Sequence, residues 1–224
     1  MSLRVLTWNL MHGRAVPPAG RELFDEFAAA LAAWPWDVAL LQEVPPWWPE
    51  RLGYEFGRVL TSRNGALALR RAIAVRRPDL IKSNGGGANA ILVRGRRIAE
   101  RRTLRLRLMP ERRWLIGVRL DDGIWVGNLH TSGRGPQEPT RAAAALRAWA
   151  GDRDPVVLGG DFNLEAVALA GYEHVGGFGV DHLFARGLTA AAPAEVLDAR
   201  PLSDHAPVLI GLRPAVPRSA APTR

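Results

Sequence analysis

Cysteine is absent from the 224 residues, so the chain can have neither a disulfide framework nor a thiolate-held metal. Any metal must sit on oxygen or imidazole donors, which favours hard cations such as Mg²⁺ or Mn²⁺. Lysine is nearly absent as well: Lys82 is the only one among 30 basic side chains, and the others are arginine. Long apolar runs are missing. The longest, near Phe27 to Leu41, is broken by Pro35 and Asp37 and falls short of the ~20 continuous residues a bilayer requires. The segment MSLRVLTWNL turns polar at Trp8 and Asn9, too early for the core of a secretion signal. These absences set the expectation of a cytoplasmic protein with no membrane insertion.

What is present fits one globular domain, since 47% of residues are hydrophobic and 23% charged in a chain long enough to bury a sizeable core. The domain is expected over residues 1–213, as a monomer. A disordered tail is expected over 214–224, where Pro, Ala and Arg follow no apolar period. The formal charge of +8 and the pI of about 11.2 point to a polyanionic partner such as nucleic acid. Arginine in place of lysine, alongside abundant alanine, is also what a coding bias produces without selection for binding, and both readings stay open. The charge crowds the middle third, at Arg70, Arg71, Arg76 and Arg77, then Arg94, Arg96, Arg97, Arg101, Arg102, Arg105 and Arg107. A solvated face is the simpler expectation there.

Apolar periodicity predicts the elements. Leu3 to Thr7 and Asp37 to Leu41 read as buried strands, the second ending at Gln42-Glu43. Between them, Leu23, Phe24, Phe27, Ala30 and Leu31 recur at helical spacing, which predicts a helix from about Gly20 to Ala33. The cluster Pro45 to Pro49 forces a turn. After the glycine run Gly85 to Gly87, strands are expected at Asn89 to Val93 and, half-solvated, from Leu104 to Leu108. Trp114 to Leu120 and Ile124 to Leu129 flank Asp121-Asp122-Gly123 as a hairpin. A helix over Thr140 to Ala150 leads to the strand Val156 to Leu158, and further strands are expected at Gly179 to Phe184 and Ala206 to Leu212. Hairpins mixed with strand-helix-strand crossovers predict a single α/β domain with mixed sheets.

Asn9, Glu43, His130, Asp161, Asn163, Asp181 and His205 each fall at or just after the end of an apolar strand, where open α/β folds place ligand sites. A carboxylate delivered by a buried strand needs a partner, and several converging ones without basic neighbours in sequence normally find a cation. Such a cation polarises a phosphoryl oxygen while a separate base handles the attacking water.

The segments TWNL (Thr7 to Leu10), LQEV (Leu41 to Val44), NAILV (Asn89 to Val93), GNLHT (Gly127 to Thr131), GGDFN (Gly159 to Asn163), VDHLF (Val180 to Phe184) and SDHAPV (Ser203 to Val208) occur in this order across nearly the whole chain. Together they resemble the endonuclease/exonuclease/phosphatase superfamily, the deoxyribonuclease I-like fold. The resemblance implies a four-layer α/β sandwich of two packed mixed β-sheets flanked by helices, and a Mg²⁺-dependent hydrolase of phosphate esters. It implies metal ligation by Glu43, with Asn9 beside it helping to place both metal and phosphate, and Asp204 as a further carboxylate. Asp161 then orients or deprotonates water, and Asn163 donates to the phosphate. His205 is implied to contact the scissile phosphate, with Asp181 as its carboxylate partner. His130 matches a second histidine that serves as general acid or phosphate contact. Asn89 is placed near the phosphate, with a structural role equally open, while His12 and His182 are expected to be structural. The tryptophans at 34, 36, 47 and 48 are expected to pack helices onto sheets.

Two departures qualify the resemblance. Val44 follows Glu43 where many nucleases of the superfamily carry a basic residue, and the chain is too short for the long loops that grip and kink DNA. A phosphodiesterase acting on nucleic acid, as endonuclease or exonuclease, is the leading expectation. The alternatives are a phosphomonoesterase, a lipid or sphingomyelin-type phosphodiesterase, and a non-catalytic nucleic-acid-binding module.

Overall fold

In the computed structural model, which describes residues 2–62, 67–80 and 87–215, two mixed β-sheets lie face to face. The first is built around β1 (Leu3–Asn9) and β2 (Val38–Val44), which run parallel, with β14 (Val208–Pro214) antiparallel to β1 and β5 (Ala88–Val93) antiparallel to β2. Short strands complete it: β3 (Glu55–Phe56) and β4 (Leu60–Thr61) on β5, and β12 (Leu188–Ala190) and β13 (Glu195–Val196) on β14. The second sheet has the order β10 (Glu173–Phe178), β11 (Asp181–Arg186), β9 (Val156–Asp161), β8 (Trp125–His130), β7 (Arg113–Leu120), β6 (Ile98–Arg107). Its central pair, β8 and β9, is again parallel.

A parallel pair needs a crossover, and each sheet takes it through a helix on its outer face. Helix α1 (Phe24–Ala33) joins β1 to β2, and α4 (Gln137–Ala150) joins β8 to β9. Between α1 and α4 in the chain come the short α2 (Trp48–Leu52) and α3 (Leu67–Arg76). Central strands are therefore covered on both faces, and their residues alternate between two cores. Val5 and Leu40 face the inter-sheet core with Val126, Val157 and Ile210, whereas Leu6, Trp8 and Leu41 face α1. On the far side, Leu115, Trp125 and Leu158 meet α4 through Leu146. The tryptophans pack as expected: Trp36, Trp47 and Trp48 are buried, and Trp34 lies edge-on to Trp8 at 5.2 Å.

Several boundaries differ from the sequence reading, for local reasons. Helix α1 starts at Phe24 rather than Gly20, the Leu23 backbone being non-helical. Helix α4 starts at Gln137 rather than Thr140, because Pro139 falls in the first turn, where a missing N–H costs nothing. β2 runs on to Val44, β6 begins at Ile98, and β14 spans Val208–Pro214 rather than Ala206 to Leu212. The strand expected over Gly179 to Phe184 begins at Asp181 as β11, and a tight turn joins it to β10, which was not expected because Gly176 and Gly177 break any apolar period. Pro214, expected in the tail, pairs with Leu188. Gly85, Gly86 and the tail from residue 216 lie outside the described residues.

The Gly-Gly of GGDFN has a steric cause. Gly160 has φ of +137°, and a Cβ there would sit 2.0 Å from the Leu129 carbonyl oxygen across the β8–β9 pair. Gly160→Ala is expected to cost roughly 3 kcal/mol or more through backbone strain. Thermal denaturation followed by circular dichroism should show a fall of about 6–12 °C in Tm, and an unchanged Tm would contradict this reading of the turn.

Candidate active site

Because β1, β2, β8 and β9 end on the same side of the sandwich, Asn9, Glu43, His130 and Asp161 arrive together, with His130 and Asp161 as register partners. Glu43 is turned into the site by an irregularity in the β2–β5 pairing between Leu41 and Val44, where its backbone adopts φ of +50°. Bulges of this kind re-aim side chains beside active sites, and a non-glycine residue in the left-handed region is a local strain that the surrounding structure must hold. Asn163 and Ser203 also have positive φ, at +50° and +62°, so three of the approach segments are bent at the site.

Asp161 stands at the centre, 1% exposed. Its Oδ2 accepts from Asn9 Nδ2 at 2.9 Å and its Oδ1 from the Asn163 backbone N–H at 2.8 Å. His130 Nε2 lies 3.6 Å and His205 Nε2 3.9 Å from Oδ2. His205 is held from behind, its Nδ1 being 2.6 Å from Asp181 Oδ2. Asp181 Oδ1 is buried with no hydrogen-bond partner. Glu43 lies across from this group, with Oε1 3.9 Å from His130 Nε2 and Oε2 2.9 Å from His12 Nε2. His12, Glu43, Asn89, Trp114 and His130 line a cavity of about 200 Å³.

These neighbours separate the protonation states. Burial, then the negative charge of Asp181, raises the Asp161 carboxyl to about 6 against the pull of His205, Asn9 and the Asn163 N–H. Burial alone would lower His205, but the hydrogen bond and charge of Asp181, with Asp161 and Asp204 behind it, raise it to about 9. Glu43 is pushed up by burial and pulled down further by His12, His130 and His205, ending at about 2. Burial and then the Arg113 guanidinium hold His130 at about 3, against the pull of Glu43. At neutral pH the site therefore holds an imidazolium at His205, a neutral imidazole at His130 and carboxylates at Glu43 and Asp161.

Asn9, Glu43, Asn89, His130, Asp161, Asn163, Asp181 and His205 come together at this end of the sandwich, while Asp204 sits on the rim, its side chain 56% exposed and its Oδ1 4.0 Å from His205 Nε2. Asn89 lines the cavity and donates to the Trp114 carbonyl at 3.3 Å. Asn163 donates through Nδ2 to the Thr131 carbonyl at 2.9 Å, which leaves its second amide N–H uncommitted to that contact. His182 is structural as expected, bonded to the Leu164 carbonyl at 2.8 Å and to His174 at 3.1 Å. His12, expected to be structural, hydrogen-bonds Glu43, and Gly87 gives it room, since a Cβ there would lie 2.7 Å from the imidazole.

The sequence reading also missed a floor of buried amides. Gln42 Nε2 donates to Asn128 Oδ1 at 2.8 Å, and Asn128 Nδ2 donates to the carbonyls of Leu41 and Ala90 at 2.9 and 2.8 Å, tying the two sheets together beneath the site. Ser203 Oγ donates to the Asn9 carbonyl at 2.6 Å and accepts from the His205 N–H at 3.1 Å. The signal for all three was their place inside LQEV, GNLHT and SDHAPV.

Among the described residues, Asp161, Asp181 and His205 form a group whose ligand atoms lie within 4.8 Å of one another, close enough to share a divalent metal. No helix among those residues is long and apolar enough to cross a membrane. Carboxylates and an imidazolium converging where two parallel strand pairs end make a site for phosphate-ester hydrolysis. The sequence profile of the Endonuclease/Exonuclease/phosphatase family matches residues 6–205, and the chain belongs to that family of phosphate-ester hydrolases. Among solved structures it is similar to an endonuclease/exonuclease/phosphatase from Beutenbergia cavernae (22% identity, 95% of this chain and 72% of that one, TM-score 0.68). It is also similar to a humanized TDP2 of D. rerio (17%, 95% and 99%, 0.66) and to the mannosyl-6-phosphatase of Bacteroides thetaiotaomicron (18%, 94% and 99%, 0.63). At these identities the likeness carries the fold. Among curated protein sequences, none matches the chain.

Proposed function

We propose that the protein is a divalent-metal-dependent phosphodiesterase that cleaves nucleic acid strands, with Asp161 as the base and His205 as the cation on the scissile phosphate. The observation that carries this reading is the opposed pair: a carboxyl raised to about 6 and an imidazole raised to about 9, 3.9 Å apart. Two titratable groups whose surroundings push them toward complementary states mark an acid and base assignment. Asp161, oriented by Asn9 and the Asn163 N–H, takes a proton from the attacking water. His205, fixed by Asp181 through Nδ1, presents Nε2–H to a phosphate oxygen and balances the charge gathering there. His130, neutral at the working pH, fits a phosphate contact better than a general acid. The second N–H of Asn163 supplies another donor to the phosphate, and Asn89 shapes the cavity wall.

The absence of cysteine and the oxygen-rich surroundings fit Mg²⁺ or Mn²⁺. Glu43 is the carboxylate to hold it, with Asn9 and the rim carboxylate Asp204, because Glu43 stays ionised down to about pH 2, whereas Asp181 is committed to His205. The ion polarises a phosphoryl oxygen when bound. Glu43→Gln should then weaken Mn²⁺ binding by at least ~10-fold, the lower end of what even an indirect ligand change costs. Isothermal titration with Mn²⁺ checks this. If Asp181→Asn weakens binding and Glu43→Gln does not, the metal belongs to the Asp161, Asp181 and His205 group instead.

The arginine-rich composition favours a nucleic acid strand, while the likeness to a mannosyl-6-phosphatase keeps small monoesters in the comparison. Purified protein with Mg²⁺ or Mn²⁺ should hydrolyse single-stranded DNA, RNA or plasmid DNA and bis-p-nitrophenyl phosphate faster than p-nitrophenyl phosphate. Turnover confined to the monoester would replace the diesterase reading with a phosphatase.

A further inference from the structure

The arginines of the middle third do not form one face. Arg101 pairs with Glu55 at 3.1 Å and Arg102 with Glu100 at 2.6 Å, Arg96 pairs with Asp122, and Arg94 caps the carbonyls of Trp34 and Leu31, and none of the four lines the active-site cavity. A separate set lines a cleft of about 520 Å³ at the turn between β6 and β7: Arg107, Arg112, Arg113 and Arg134, with Leu108 and Met109. This cleft shares Ser62, Glu111, Arg112 and Arg113 with the cavity that holds Glu43 and His130, so the two are continuous.

Within it, Arg107 pairs with Glu138 and Arg113 with Glu111 at 3.1 Å, while Arg112 and Arg134 have no carboxylate partner among the described residues. Set against Glu111 in the wall and Glu138 behind Arg107, the four guanidinium groups leave two positive charges without a carboxylate among the described residues. Two buried donors nearby, Arg113 Nε on the shared wall and Trp114 Nε1 on the wall of the cavity alone, have no acceptor among the described residues. Leu108 and Met109 stand beside the charges, 55% and 71% exposed. Guanidinium groups pair with phosphates, and the open apolar side chains beside them offer contact to base faces, which a small, wholly polar phosphosugar does not have.

We infer that this cleft is a binding track for the single-stranded nucleic acid flanking the scissile phosphate, with Arg112 and Arg134 on successive phosphates and Leu108 and Met109 against the bases. The identity of the strand rests on the function proposed above, but its binding is measurable without catalysis. Fluorescence anisotropy of a labelled oligothymidylate of about twelve nucleotides, in EDTA, reads it directly. The double variant Arg112→Glu/Arg134→Glu should raise Kd at least ~10-fold and flatten the salt dependence, log Kd against log salt losing about 0.7 of slope for each phosphate contact removed.

Arg153→Glu/Arg213→Glu makes the same change of charge at the opposite ends of β9 and β14, on exposed residues, and should leave Kd within about twofold. Equal weakening by both pairs, no weakening by either, or no binding by wild type would each overturn the cleft as a track. Cleft-dependent binding by a protein that cleaves no strand would instead overturn the proposed reaction and leave the track standing. Cleavage of DNA with normal binding by the cleft variant would do the reverse.

Discussion

Asp161→Asn should lower kcat by about 10²–10⁴-fold, the range for a lost general base, and at the same time stabilise the metal-free protein at neutral pH. The second half follows from linkage. The Asp161 carboxyl lies at about 6 in the folded chain against an ordinary value of 3.8, so between those values the folded state holds the proton more firmly than the unfolded state. Stability falls as pH rises from 3.8 through about 6, and the full cost is present above it. About two pH units correspond to roughly 3 kcal/mol at most. The amide keeps an acceptor for Asn9 but loses one for the Asn163 N–H, so a net gain of about 1–2 kcal/mol, or about 2–8 °C in Tm, is expected at pH 7. The gain should fade by pH 4. A variant that is inactive and also less stable at pH 7 would show that Asp161 is paid for structurally and is not held in a strained, charged state for chemistry.

His205→Ala should lower kcat by about 10²–10³-fold, as for other donors placed on developing charge, with Mn²⁺ affinity retained if Glu43 holds the metal. The pH profile carries the finer test. Asp161 must be ionised and His205 protonated, so kcat/KM should rise through an acid limb near 6 and fall through an alkaline limb near 9. Added metal shifts the acid limb lower, since positive charge favours the carboxylate. The alkaline limb depends on Asp181, and Asp181→Asn should bring it down toward the ordinary histidine value of 6.5. An alkaline limb that stays near 9 in that variant would assign it to another group.

The central strands were legible because burial on both faces makes them continuous apolar runs, as in Val5 to Trp8 and Val156 to Leu158. The glycine-rich edge strand β10 has no such run, and only its Val175 is buried, so nothing in its sequence marked it. The site was legible as a set of polar residues closing apolar strands, but its internal geometry was not. The backbone reversal at Glu43 and the reach of His12 across the cleft depend on pairing between distant strands, and no local pattern encodes them. Arg112 and Arg134 lie 22 residues apart and meet only because β7 and β8 are antiparallel neighbours, so counting arginines along the chain could not separate them from Arg101 and Arg102.

The most direct measurement is cleavage of single-stranded DNA by wild type and His205→Ala, each with Mg²⁺ and with EDTA. Strand cleavage by wild type with Mg²⁺, abolished by EDTA and reduced at least ~100-fold in the variant, is the expected result. Cleavage that persists in EDTA or survives the loss of His205 would contradict a metal-dependent reaction at this site.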